Sequence, residues 1–287
     1  MKLVGPKTDF CKTLAHHVGC DFVEMEQRIF PDGEVNPRIL EAPKNVILVN
    51  TLSSEDFDPN RYLLEYIFAI KNLIERGTEN ITLVMPYLPY SRQDAIFRKG
   101  ESFTSKYTLD IFKELGITHI FAVTFHLHRQ KTPVVPGITL HNVPGIDAFK
   151  DFIKSCDFKN PLFLAPDKEA EKWAERMAEP FHGDVAVLTK KRNVNTGSIE
   201  TSGNVPENRN VIIIDDMIST GKTVTKALDI CRQSGSTPIM VCAFHGIFSR
   251  PVIWDKNVDV VTTNTIQNPY AAVDVTPLIA QVISQEL

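Results

Sequence analysis

The sequence predicts an α/β protein of two related domains, each a mostly parallel sheet flanked by helices. Short β-branched runs alternate with longer amphipathic stretches, the order that parallel sheets with helices on both faces require. At 287 residues the chain is long enough for two cores, at roughly 150 residues per domain. The same strand–helix–strand order also occurs twice. Asn45–Val49 and Asn210–Ile214 each lead into a hydroxyl-bearing loop and then a helical pattern. The domains are expected at residues 1–145 and 146–287, joined near Val143–Ala148.

The elements follow in order. Val46–Val49 reads as a buried strand. Asp58-Pro59 supplies an N-cap and a proline at the first helical position. Leu63, Leu64, Ile67, Ile70, Leu73 and Ile74 recur at helical spacing, and Gly77 is a fitting terminator. Ile81–Met85, His119–Thr124, Leu162–Ala165 and Val185–Leu188 are further strands, with helices near Phe103–Leu115 and Lys168–Ala178. Late in the chain come strand Val211–Ile214, a helix near Thr223–Ser234 ending at Gly235, and strand Ile239–Phe244. The polar stretch Gly197–Asn210 and its charged neighbour Lys190–Thr196 read as a mobile loop.

Composition removes several function classes. Hydrophobic residues at 43% and charged residues at 23% are globular values, which argues against a largely disordered chain. Lys+Arg 31 against Asp+Glu 35 leaves −4, whereas a protein gripping nucleic acid or anionic membrane more often has a basic surface. Small-molecule partners are expected, with no nucleic acid and no membrane. Apolar runs such as Val211–Ile214 fall far short of the ~20 residues of a spanning helix. Nor does the stretch Met1–Phe10 read as a signal peptide. Cys11, Cys20, Cys156, Cys231 and Cys242 are odd in number and scattered, without C-x-x-C. They are expected as free thiols in a reducing cytoplasm rather than disulfides or a zinc site.

The richest stretch is Val211-Ile-Ile-Ile-Asp215-Asp216-Met-Ile-Ser219-Thr220-Gly221-Lys222-Thr223. A strand delivers two carboxylates at its C-terminal end, and a turn with hydroxyls and glycine then opens a helix. Such a crevice is where open α/β sheets bind ligands, and a helix start offers N–H groups to an anion. Ser219, Thr220 and Thr223 add donors, while Gly221 permits close backbone approach. Gly221-Lys222-Thr223 is not a Walker A loop, because position 216, where that motif needs glycine, is aspartate. Asp215 and Asp216 suit sugar hydroxyls, or Mg²⁺ held through water. The pattern fits a phosphorylated ribose.

This stretch resembles the phosphoribosyl pyrophosphate loop of phosphoribosyltransferases and of ribose-phosphate pyrophosphokinases. Three further segments favour the pyrophosphokinase family. Phe30-Pro31-Asp32-Gly33-Glu34-Val35 is similar to its adenine-binding loop, which in the family reaches a neighbouring subunit's site; a plain Pro-Asp-Gly turn is the simpler reading. Met85-Pro-Tyr-Leu-Pro-Tyr-Ser-Arg92-Gln93-Asp94 resembles its ATP-contacting segment, and Gly100-Glu101-Ser102 continues the likeness. Lys190-Lys191-Arg192 resembles its catalytic basic cluster. The resemblance implies two phosphoribosyltransferase-like domains, the first binding ATP and the second ribose phosphate. It implies Mg²⁺-dependent transfer of the diphosphoryl group of ATP to the C1 hydroxyl of ribose 5-phosphate. Lys190 and Arg192 would be catalytic. Phe30, Asp32, Glu34, Arg92, Gln93 and Asp94 would bind ATP, and Asp215, Asp216, Ser219, Thr220, Gly221, Lys222 and Thr223 the ribose phosphate. His126 and Asp167 would serve the metal, His126 more than His128. A loop shared with a neighbour implies a homodimer or larger homo-oligomer.

The chain also departs from the family. Lys168-Glu169-Ala170 follows Asp167 where glycine is usual, Ala95-Ile96 follow Asp94 where a basic residue often stands, and Thr124 stands where an acidic or amide residue often precedes the histidine. Lys222 occupies a frequently small position and could pair with a second phosphate. Two alternatives therefore stay open: the same transfer to a larger 5′-phosphorylated ribose such as ADP-ribose, and a non-catalytic regulatory homologue. A phosphoribosyltransferase would leave Phe30–Glu34 and Arg92–Asp94 without a role.

Overall fold

A computed structural model describes residues 1–126, 135–156, 158–192 and 199–287. The chain forms two compact units, residues 1–144 with 275–287, and residues 145–274. The seam thus falls at Gly145, while the closing helix Thr276–Glu286 returns to the first unit, where the sequence reading kept 146–287 together. Ile279, Ala280 and Ile283 bury that helix's apolar stripe, which packs on the helix Asp9–Val18.

The first unit holds a seven-stranded sheet in the order Val35–Ile39, Asp21–Ile29, Lys2–Gly5, Asn45–Val49, Asn80–Met85, His119–Val123, Thr139–Val143. Its strands run parallel except for the antiparallel hairpin Asp21–Ile29/Val35–Ile39. Val46, Ile47, Leu48 and Val49 are all buried, so both faces of the strand are covered. The helix Pro59–Glu75 begins as its sequence directs: Asp58 Oδ1 accepts from Asn60 N at 2.9 Å and Arg61 N at 3.0 Å. Tyr62, Tyr66, Ala69, Ile70 and Leu73 bury its inner stripe, and Gly77 follows at φ 94°.

The second unit holds a six-stranded, wholly parallel sheet in the order Asp184–Val187, Leu162–Ala165, Asn210–Ile218, Thr237–Gly246, Asp259–Thr263, Ala271–Val273. Consecutive residues of its central strand serve opposite cores, as a period of two requires. Ile212 and Ile214 pack with Phe149, Trp173 and Phe244 on one side. Ile213 packs with Val224, Leu228 and Val241 on the other. All five cysteines are free thiols. Among the described residues no helix is long and apolar enough to cross a membrane.

Two expectations need correction. The polar region 190–210 is not wholly loop: Thr189–Arg192 and Ile199–Ser202 pair antiparallel as a small ribbon. Polar side chains there conceal backbone that still finds a ladder, and a Cβ on Gly203 would meet Leu188 Cδ2 at 2.6 Å, so the ribbon leaves through a glycine. The helix expected from Lys168 starts at Glu171, because Asp167 first caps a turn.

Candidate active site

In the second sheet the chain passes from Leu162–Ala165 outward to Asp184–Val187, then from Asn210–Ile218 outward in the other direction. The order therefore reverses between the strands Leu162–Ala165 and Asn210–Ile218, and a switch of this kind opens a crevice beyond the strand ends. Their pairing covers only Val211–Ile213, whereas on its other edge the longer strand stays paired through Asp215↔Ala243 and Ile218↔Gly246. The acid pair thus lies within the paired strand rather than at its tip, bordering the crevice that the short neighbour leaves.

Asp215 is 8% exposed, and its Oδ1 accepts from Asp216 N at 2.9 Å. Burial, then the charges of Asp216 and Asp167, push its carboxyl well above the ordinary range. Asp167 lies two residues beyond the strand Leu162–Ala165, where its charge acts on Asp215. Its Oδ1 accepts from Glu169 N at 3.0 Å and Ala170 N at 3.1 Å, so the donors that a glycine-bearing loop would offer an anion here close on the aspartate itself. Lys172 brings positive charge to the cluster, a residue the sequence reading missed. Its ammonium lies 4.5 Å from the Trp173 ring centre; burial lowers its pKa while Asp216 and Glu169 raise it.

Past Ile218 the chain turns through Ser219, Thr220 and Gly221 into the helix Lys222–Gln233, which no side chain caps. Gly221 has φ 75°, natural for glycine, and Val252 closes over it: a Cβ there would lie 2.7 Å from Val252 Cγ2. Ser249 holds the turn from that side, its N donating to Ser219 O at 3.0 Å and its Oγ standing 3.2 Å from Ser219 Oγ. Lys222 is exposed at the helix start.

Asp167, Asp215 and Asp216 form a hard-oxygen donor set suited to a divalent cation, and the charges of the other two help raise the pKa of Asp215. Among the described residues no three His, Cys, Asp or Glu side chains converge closely enough to hold an ion alone. Mg²⁺ fits such a set, since it usually keeps waters and takes substrate phosphate oxygens beside one or two carboxylates.

The other predicted residues are distributed as follows. Phe30–Glu34 closes the hairpin: Phe30 N donates to Glu34 O at 2.8 Å, Gly33 N to Phe30 O at 2.9 Å, and Asp32 Oδ1 accepts from Glu34 N at 3.2 Å. Arg28 lies over one face of Phe30, 4.5 Å from the ring centre. Arg92 is exposed and Asp94 fully buried. Gln93 Nε2 donates to Glu101 Oε2 at 3.1 Å, and that oxygen also accepts from Phe97 N and Arg98 N. Glu101 therefore organises the loop after Arg92–Asp94. His126 is half-buried beyond the strand His119–Val123, and His128 lies outside the described residues. Lys190 and Arg192 occupy alternate positions of the ribbon strand, opposite Thr201 and Ile199. Asp215, Asp216, Ser219 and Gly221 come together with Asp167 in the second unit, whereas Phe30–Glu34, Arg92–Asp94 and His126 belong to the first.

Two parallel-sheet units, one with an acid pair and an uncapped turn at its switch point, define an α/β protein of the phosphoribosyltransferase type. Residues 4–116 match the N-terminal domain of ribose phosphate pyrophosphokinase, and residues 145–279 the phosphoribosyl transferase domain. The chain is 32% identical to a ribose-phosphate pyrophosphokinase of Sulfolobus acidocaldarius, over 91% of this chain and 92% of that one. It is 33% identical to one of Pyrococcus abyssi, over 93% and 92%. Its fold is that of phosphoribosylpyrophosphate synthetase from Mycobacterium smegmatis, with a TM-score of 0.84 at 23% identity over 99% of this chain and 97% of that one. The chain belongs to the ribose-phosphate pyrophosphokinase family.

Proposed function

We propose that this protein transfers the β,γ-diphosphoryl group of ATP to the C1 hydroxyl of ribose 5-phosphate, giving phosphoribosyl pyrophosphate and AMP. The observation that carries the reading is the switch-point crevice, where the Asp215/Asp216 pair borders a turn that opens an uncapped helix. The 5′-phosphate would sit on Ser219, Thr220, Gly221 and Thr223, whose N–H and hydroxyl groups meet an anion at the positive end of the helix. Asp215 and Asp216 would then accept hydrogen bonds from the ribose hydroxyls and hold C1 toward the nucleotide. Phe30 would stack the base on the ring face that Arg28 leaves open, with Arg92 on base or phosphate and Gln93 and Asp94 as orienters.

The C1 oxygen attacks the β-phosphorus in line, the bond from that phosphorus to the α-phosphate bridging oxygen breaks, and the hydroxyl proton is released. When bound, Mg²⁺ neutralises phosphate charge and makes the β-phosphorus more electrophilic. In the second unit Asp167, with Asp215 and Asp216 near it, would hold the ion, and His126 is the residue of the first unit that the resemblance gives to a metal. Lys190 and Arg192 would close on the charge that develops in flight, where a preorganised cation contributes about 3 kcal/mol. Free thiols agree with a cytoplasmic setting. The loop Phe30–Glu34 would complete the site of a second copy, making the working form at least a homodimer.

The test is purified protein with ATP and Mg²⁺, offered ribose 5-phosphate or ADP-ribose, with products identified by mass. AMP and phosphoribosyl pyrophosphate from ribose 5-phosphate are expected. Product only from ADP-ribose would move the acceptor to the larger sugar phosphate. ATP binding with no product from either would make the chain a regulatory homologue.

A further inference from the structure

The first unit repeats the topology that makes the crevice of the second. Its chain passes from Lys2–Gly5 outward to the hairpin, then from Asn45–Val49 outward the other way, so its own switch point lies between Gly5 and Asn50. The two strands approach closely there, since a Cβ on Gly5 would come within 2.9 Å of Val49 O. Asn45–Val49 and Asn210–Ile214 occupy equivalent places, so Asn50 stands where the second unit has Asp215.

Asn50 is committed to protein partners. It is fully buried; its Nδ2 donates to Glu65 Oε2 at 2.7 Å, and its Oδ1 accepts from Gln27 Nε2 at 3.1 Å and Thr51 N at 2.9 Å. Gln27 Nε2 also donates to Glu65 Oε2 at 2.7 Å. Glu65 is 2% exposed, and its Oε1 is buried without a hydrogen bond among the described residues. One carboxylate oxygen thus gathers an amide from the hairpin and an amide from the sheet.

The same helix reaches the other nucleotide segment. Tyr66 Oη accepts from Asn50 N at 2.8 Å and donates to Val84 O, Tyr62 Oη stands 3.4 Å from Tyr87 O, and Tyr90 Oη bonds Asn60 Oδ1. Gln27 lies three residues before Phe30, and Tyr90 two before Arg92. Helix Pro59–Glu75 therefore ties both segments to one frame.

We infer that Glu65 is a positioning residue for the nucleotide: with Gln27 and Asn50 it plugs the first unit's switch-point crevice and thereby sets where the loop Phe30–Glu34 stands. A crevice that could hold a ligand is spent on an internal clamp. This rests on the reading of Phe30–Glu34 as an ATP loop. The bonds cross from helix to hairpin and strand end, so their loss frees the hairpin without touching the ribose-phosphate turn.

The experiment compares full-length wild type with Gln27→Leu, Glu65→Leu and Glu65→Gln. Binding of α,β-methylene-ATP and of ribose 5-phosphate is measured by calorimetry, and amide hydrogen exchange over residues 21–39 is followed. For the two leucine variants the analogue Kd should rise roughly tenfold, and the ribose 5-phosphate Kd stay within about twofold. Hairpin exchange should quicken while the strand Asn210–Ile218 keeps its protection. Glu65→Gln, whose amide oxygen still accepts both donors, should recover most of the affinity. Equal loss for both ligands, or unchanged hairpin exchange, overturns the clamp. Gln27→Leu alone decides the matter should Glu65→Leu fail to fold. Wild type that binds ribose 5-phosphate but not the analogue overturns the ATP reading itself, whereas wild type and variants binding the analogue alike overturns only the clamp.

Discussion

Gly221→Ala tests the phosphate turn. Gly221 sits at φ 75°, and a left-handed conformation costs an L-residue about 1–2 kcal/mol. Reduced freedom of the unfolded chain returns about 0.4–1 kcal/mol of that. The new Cβ would also lie 2.7 and 3.0 Å from the two methyls of Val252, so the covering loop must shift, at about 1–3 kcal/mol. The net is a loss of about 3 kcal/mol, or roughly 10 °C in Tm. Val252→Ala on top of Gly221→Ala removes the clash but not the backbone strain, so the pair should be about 1–2 kcal/mol less destabilised than its singles predict. Calorimetric unfolding reads the stability, and initial rates read function. The KM for ribose 5-phosphate should rise about tenfold or more, since a turn moved by a few tenths of an ångström misplaces its donors, while the KM for ATP stays. An unchanged Tm with unchanged ribose 5-phosphate KM, or no relief from Val252→Ala, refutes the turn's role as described.

Three further outcomes are expected. Asp215→Asn should stabilise the protein in EDTA at pH 7 while abolishing activity: the folded-state pKa of Asp215 is raised, so below the unfolded carboxyl value of about 4 it costs nothing, and stability is lost as pH rises toward the folded value. The variant's Tm advantage, followed from pH 4 to 8, must therefore shrink toward the acid end, and a lower Tm at pH 7 would contradict it. Lys190→Ala should cut kcat about 10²–10³-fold with little change in either KM, and an unaltered kcat removes the ribbon from the chemistry. Asp58→Ala, which strips the cap bonds to Asn60 and Arg61, should cost about 1 kcal/mol in denaturant unfolding, with a loss below a few tenths showing the cap to be idle.

Periodicity and punctuation carried most of the fold. Asp58-Pro59 and Gly77 bracket the helix Pro59–Glu75 in the chain as in the structure, and the apolar run Val211–Ile214 is a strand buried on both faces. Elements whose pattern is polar were not legible. Asp21–Ile29 alternates buried and exposed only as far as Met25 before its polar end, and Thr189–Arg192 reads Thr-Lys-Lys-Arg, with no apolar residue to mark it. Each is held by backbone pairing, which leaves no trace in composition. The return of Thr276–Glu286 to the first unit was likewise invisible, because helical pattern says which face is apolar but not what will cover it.

For the site, spacing identified residues adjacent in the chain and missed those assembled by topology. Asp215, Asp216 and the Ser219–Thr223 turn are one contiguous stretch, whereas Lys172, Ser249 and Val252 reach it from other elements. The Asp167 turn shows why a motif alone misleads: with Glu169 and Ala170 following it, the aspartate caps its own backbone donors. On that side the backbone N–H groups are taken, and among the described residues Lys172 places a cation near Asp216. Burial and the neighbouring carboxylates raise the pKa of Asp215, so its charge is opposed by the protein alone. In the proposed reaction, a cation or sugar hydroxyls at Asp215 would offset the burial that opposes its charge.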